Sequence, residues 1–239
     1  MPPASHERSD PRTVDDRYLA AGQIPAPRSP GDTPSTGMSD SGLSGVAAAR
    51  VREASARNTT GAEMYDAQQF SDAVQLFEQA LASCRITLGD HHPDTLRVTG
   101  NLGVALVHAG DSRKGIQLIK STAEARTQVL GPDHPDTLTA LNALAVAHRL
   151  SGNPDKALET AKRVVLARSR ALGSTHPDTL TSRMGLGLAL AAAGETANAH
   201  RFVDKTLADA REALGVDDDH YLALVDCGFD SGLLQADLT

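Results

Sequence analysis

His92-Pro93-Asp94-Thr95-Leu96, His134-Pro135-Asp136-Thr137-Leu138 and His176-Pro177-Asp178-Thr179-Leu180 are one pentapeptide written three times, each copy 42 residues after the last. A second marker keeps the same step: Leu88-Gly89, Leu130-Gly131, Leu172-Gly173 and Leu214-Gly215. A period of this length, held without slippage, is the mark of stacked supersecondary units sharing one continuous core. Chains of this kind present surfaces to partners more often than they carry out chemistry.

Each period divides into two helices. Proline after histidine suits the first helical position, because the N–H it lacks has no intrahelical partner there. Asp94, Asp136 and Asp178 then fall in the first turn, where the helix dipole favours a carboxylate. Ala109-Gly110, Ser151-Gly152 and Ala193-Gly194 close the first helices, and the glycine of each Leu-Gly pair suits the left-handed position that ends a second helix. The expected spans are 93–108 with 112–129, 135–149 with 154–171, and 177–192 with 196–213. Counting back one period aligns Gly61, Met64, Ala73, Phe77 and Ala80 with the later units, so a fourth pair precedes these without its opening motif. Beyond Leu214-Gly215, Leu222 falls on the Leu180 position. Gly228 and Gly232 lower helix propensity past that point, so a short closing helix is expected over 220–227, with a loose tail after it.

Composition agrees with helices packed closely through small side chains. Alanine, leucine and valine dominate, tryptophan is absent, and no Phe, Tyr or Trp lies between Phe77 and Phe202. Cys84 and Cys227 are the only cysteines, too few for a disulfide framework or a thiolate metal site. Met1 to Arg8 has no apolar stretch of the secretory type. The longest apolar run, Leu186 to Ala193, is far too short to span a bilayer, so a cytoplasmic protein with no membrane partner is expected.

The net charge of −7 sits mostly outside the repeats. Six aspartates and no Lys or Arg occupy 216–239, and the Pro-rich first 44 residues are also acidic on balance. That leaves 45–215 near neutral, without the basic footprint or the aromatic platforms of a nucleic-acid binder. The chain thus divides into three segments: a disordered Pro/Ser/Gly-rich tail over 1–44 that buries too little to offset its ordering entropy, an array of four helix pairs over 45–215, and an acidic closing helix and tail over 216–239. The tail reads as a cap on the last repeat, with a short docking motif as the competing reading.

These pairs resemble tetratricopeptide repeats of the 42-residue type found in kinesin light chains and many bacterial proteins. The pattern of a large then a small residue on the first helix is met by Leu102-Gly103, Leu144-Ala145 and Leu186-Gly187. The small residue opening the second helix is Ala73, Gly115, Ala157 or Ala199, with Phe77, Ile119, Ala161 or Val203 four residues on. The resemblance covers roughly 45–215 and implies an all-α, right-handed superhelical solenoid of antiparallel helix pairs. His148 departs from the pattern, standing where Met64, Leu106 and Leu190 stand elsewhere, and is expected as a hydrogen-bonded core histidine. Gly100 and Gly185 are extra glycines whose effect on stability the sequence leaves open. An excess of arginine over lysine, with abundant alanine and glycine, points to GC-rich coding and a bacterial source.

Chemistry is not expected. Equivalent histidines of neighbouring repeats sit on helices about 8–10 Å apart, too far to share a metal with bonds near 2 Å. His92, His134 and His176 are therefore read as helix initiators that also bond between repeats. Asp217-Asp218-Asp219-His220 lacks the turn glycine and terminal glutamate of a calcium loop. No phosphate loop, His-Glu-x-x-His or Gly-x-Ser-x-Gly motif is present. No catalytic residue, metal or cofactor is expected, and the chain reads as not an enzyme.

In the fold the resemblance implies, first helices line a concave face. The positions exposed on it are Arg97, Gly100, Val104 and Val107, then Thr139, Asn142, Val146 and Arg149, then Thr181, Met184, Leu188 and Ala191, with Asn101 and His108 at the edge. A floor of Val, Met and Leu with a few Asn and Arg suits a peptide, since amides pair with backbone and guanidinium with carboxylate. The candidate partner-binding groove is therefore Arg97, Asn101, Val104, His108, Thr139, Asn142, Val146, Arg149, Met184 and Leu188. The leading expectation is a protein- or peptide-binding adaptor or scaffold. A second is a regulatory or sensor module acting in trans on a bacterial signalling ATPase or peptide-maturation system, as some proteins with similar repeats do. Self-association through the repeats or the acidic tail is a third.

Overall fold

The imidazole of each His-Pro-Asp-Thr opens its helix by capping it. The computed structural model describes residues 45–234, and the tail expected over 1–44 lies outside the described residues, as do 235–239. Among the described residues there are nine α-helices and no strand: α1 (Gly45–Asp66), α2 (Phe70–Leu88), α3 (Pro93–His108), α4 (Ser112–Leu130), α5 (Pro135–Leu150), α6 (Pro154–Leu172), α7 (Pro177–Ala192), α8 (Thr196–Leu214) and α9 (Asp219–Asp230). His92, His134 and His176 have extended backbone, and Nδ1 of each accepts from the amide of Asp94, Asp136 or Asp178 at 3.2 Å. Histidine thus fills the N-cap role usually given to Ser, Thr, Asn or Asp. Nδ1 serves its own helix and not the bond between repeats expected of it.

The Leu-Gly glycines end the second helices differently from expectation. Gly89, Gly131, Gly173 and Gly215 are themselves the C-caps, with φ of 87, 97, 96 and 95° and ψ of 160–167°, and their N–H groups return to Arg85, Thr127, Ser169 and Arg211. This is not the left-handed helical well but a region that essentially only glycine enters. It lets the chain leave the helix extended, ready for the next His-Pro.

Close approach inside a pair rests on its small residues. A Cβ on Gly115 would lie 2.5 Å from the Gly103 carbonyl oxygen, and one on Gly187 would lie 2.5 Å from Val203 Cγ2. Leu138, Leu180, Val164 and Val203 are among the side chains fully removed from solvent, each worth about 1.5–3 kcal/mol of burial. Each helix packs on its neighbours in sequence, and first helices α3, α5 and α7 also touch one another in turn. The first helices therefore form the inner wall of the array and the second helices its outside.

The closing helix is longer than expected, reaching Asp230 and not 227. Asp218 Oδ1 caps it from both His220 N and Tyr221 N. Gly228 does not break it, because the missing side chain makes room for Leu234, whose Cδ1 would be 2.5 Å from a Cβ there. The chain reverses at Gly232, where Leu233 N and Gly232 N bond back to Gly228 and Phe229 carbonyls in a Schellman turn. Leu233 is buried, and its carbonyl accepts from His200 Nδ1 at 2.8 Å. Residues 231–234 are folded onto α8, not a loose tail.

Candidate partner-binding face

The inner wall is tighter than its sequence implied. Val104, Val146 and Leu188, expected to be exposed, retain 9, 9 and 6% of their surface, and Met184 retains none. Val107 is buried too. The reason is the contact between consecutive first helices: Asn142 Oδ1 lies 3.9 Å from the Cβ position of Gly185, and Asn101 Nδ2 donates to Asn58 Oδ1 at 3.1 Å. Neighbouring walls meet over the aliphatic floor and leave a line of half-buried groups. These are Arg97, Asn101 and His108 on α3, Thr139, Asn142 and Arg149 on α5, and Thr181, Gly185 and Ala191 on α7.

Several of these have work inside the fold. Arg97 pairs with Asp94 at 3.4 Å. His108 packs in a three-ring cluster, 5.4 Å from Tyr65 and 5.1 Å from Phe70 between ring centres. Burial there pushes its imidazole down to about 4. Burial likewise lowers the Arg149 guanidinium to about 10, with a smaller opposing contribution from Cys227 of α9. His148 is half-buried, and burial is the main cause that lowers its pKa, with smaller contributions from Lys156 and Lys120. Its Nδ1 has no hydrogen-bond partner among the described residues, unlike the bonded histidine expected.

Three buried arginines were not foreseen from the sequence. Arg126 and Arg168 are one period apart, and each donates from Nη1 to the carbonyl of the first-turn aspartate of the next repeat, Asp136 at 2.8 Å and Asp178 at 2.9 Å. Arg168 also reaches Ser182 Oγ (2.8 Å) and Thr139 Oγ1 (2.9 Å), so one guanidinium joins α5, α6 and α7. Arg183 meets Asp209 at 2.7 Å and lies 5.8 Å from the centre of the Phe202 ring. The 42-residue step between Arg126 and Arg168 was the available signal. The units before and after carry Cys84 and Ala210 at that position, which hid it.

Between α4 and α6 a crevice of about 370 Å³ opens over Leu141 and Leu144, rimmed by Lys120, Glu124, Gln128 and Arg163. Among the described residues no three His, Cys, Asp or Glu side chains gather as metal ligands, and no helix is long and apolar enough to cross a membrane.

With this geometry in place, the comparisons with known proteins give its class. The tetratricopeptide-repeat pattern matches residues 54–118 and 101–165, and again 179–221. The chain belongs to the tetratricopeptide-repeat family, whose repeats generally mediate protein–protein contacts. Among solved structures it is similar to a kinesin-light-chain-type protein of Podosopora anserina with nearly identical TPR-like repeats, at 24% identity and a TM-score of 0.60, covering 74% of this chain and 86% of that one. A glutamine-to-methionine variant of that protein matches at 24% identity and a TM-score of 0.61, over 74% and 85% of the two chains. At that identity the likeness establishes the fold. No curated protein matches significantly.

Proposed function

We propose that this chain is a non-enzymatic, cytoplasmic docking scaffold that holds an extended segment of a partner protein along its inner wall. The observation that carries the reading is the line of half-buried polar groups, Asn101, Thr139, Asn142, Arg149 and Thr181, on a wall otherwise closed by aliphatic side chains. Amides and a guanidinium at the bottom of a curved apolar surface suit the backbone and carboxylates of a bound peptide. The buried valines and Leu188 set the spacing of that wall and give a ligand little direct contact, so recognition falls to the polar line. Near-neutral repeats with few aromatics offer no footing for nucleic acid.

The test is recovery of partners from lysate by the wild type and by Asn142→Ala and Asn142→Ala/Arg149→Ala variants with matched helical content. Partners lost from both variants support the inner wall. Equal recovery by all three proteins removes it as the binding surface.

A further inference from the structure

α9 sits where a fifth unit would begin, and its outer face is the one first-helix face in the array that the described residues leave uncovered. In the complete repeats, the i, i+3, i+7 positions that turn toward the partner helix are Leu96, Thr99 and Gly103, then Leu138, Leu141 and Ala145, then Leu180, Arg183 and Gly187, all buried. Arg183 meets Asp209 and Gly187 meets Val203, both on α8, which fixes the direction of that face. One period on, the same positions are Leu222, Val225 and Phe229. Leu222 and Phe229 each remain 46% exposed, and Val225 is half-buried. The opposite side of α9 is seated: Leu224 and Cys227 are buried, and His220 Nε2 donates to the Pro177 carbonyl at 3.0 Å.

Phe229 shows that this face is not waiting for an ordinary second helix. At Gly187 even a Cβ would meet Val203 at 2.5 Å, so a phenyl ring excludes a helix at that spacing. Terminal units of such arrays are normally closed by a polar outer face, and an apolar stripe contradicts that.

Charge selects the occupant. At about 100° per residue, Asp219, Asp226 and Asp230 run along one flank of the stripe, all three exposed. Residues 216–239 contain six aspartates and no Lys or Arg. Two copies meeting through this face would oppose like charges across a closed contact. We propose that the outer face of α9 docks a basic amphipathic helix of a partner protein, its apolar side on Leu222, Val225 and Phe229 and its lysines or arginines along Asp219, Asp226 and Asp230. This surface is separate from the inner wall.

The experiment uses the full chain and a fluorescein-labelled amphipathic Leu/Lys helical peptide, with its scrambled isomer and its glutamate-for-lysine version as controls, read by anisotropy at low and moderate salt. The Leu/Lys peptide is expected to bind about tenfold more tightly than either control, less tightly as salt rises. Phe229→Ser and Leu222→Ser, both at half-exposed positions and checked by circular dichroism, each weaken it about tenfold. Asp226→Asn/Asp230→Asn removes most of the salt dependence. Equal binding of the scrambled peptide, or of Phe229→Ser, overturns the proposal. So does a loss caused by Asn142→Ala with Phe229→Ser unaffected, which moves the peptide to the inner wall. A dimer in light scattering that Phe229→Ser dissolves also overturns it, by assigning the face to a second copy.

Discussion

Arg168 on α6 donates to Thr139 Oγ1 on α5 at 2.9 Å while its other terminal nitrogen holds Asp178 and Ser182 of α7. A planar guanidinium, with several donors in a fixed fork, can serve three acceptors on two helices at once. The charge is buried without a carboxylate bond, and helix-terminal carbonyl and hydroxyl oxygens satisfy it. The spacing of repeats three and four is set here.

Arg168→Ala is therefore expected to lower unfolding free energy by about 2–4 kcal/mol, since it leaves a cavity and stranded polar groups. Arg168→Met fills the space and takes less, because a buried charge replaced by an apolar group of similar length escapes its own desolvation penalty. Urea denaturation of both variants checks the order, and equal losses would argue against the bonds as the source.

The glycines divide into those that cannot and those that can accept a side chain. Gly115→Ala, with its Cβ 2.5 Å from a backbone oxygen, should destabilise by about 1–3 kcal/mol. Gly185→Ala meets nothing nearer than Asn142 Oδ1 at 3.9 Å and should stabilise by up to about 1 kcal/mol through helix propensity. Thermal melts of the pair should move in opposite directions.

His134→Ala removes an N-cap and should lower stability by about 1 kcal/mol, whereas His134→Asn restores an acceptor of preferred type and should recover it. Calorimetry on the two variants reads the difference. A melt of His134→Asn as low as that of His134→Ala would deny the imidazole its capping role.

His108 gives the array a pH dependence of defined sign. Burial holds its folded pKa near 4, against 6.5 ordinarily, so between these values the unfolded chain binds the extra proton. Stability is full above about 6.5 and falls as the pH drops toward 4, by about 3 kcal/mol at most. Asp209, lowered first by its hydrogen bond from Arg183, adds a loss at still lower pH. The difference between wild type and His108→Phe in denaturant midpoint should therefore grow from pH 7 to pH 4. A constant difference would mean that the imidazole is not kept neutral.

Deleting 228–239 should lower the melting temperature, because Leu233 is buried and its carbonyl accepts from His200. An unchanged melt would leave that segment without a capping role.

Sequence alone determined the repeat and its helices, because the signals are local. Proline after histidine, aspartate in the first turn and glycine after leucine each act within a turn of their own position. The 42-residue spacing then repeats the result. Tertiary structure alone decided how far the first helices close on one another, and with it the fate of Val104, Val146 and Leu188. Exposure on an inner wall depends on the neighbour's side chains, here Gly185 against Asn142 and Asn58 against Asn101, and no periodicity within one helix reports that. The Arg168 bridge was hidden for the same reason, since its partners lie 10, 14 and 29 residues away. Gly228 misled because glycine was judged by propensity, while its actual role is the space it leaves for Leu234.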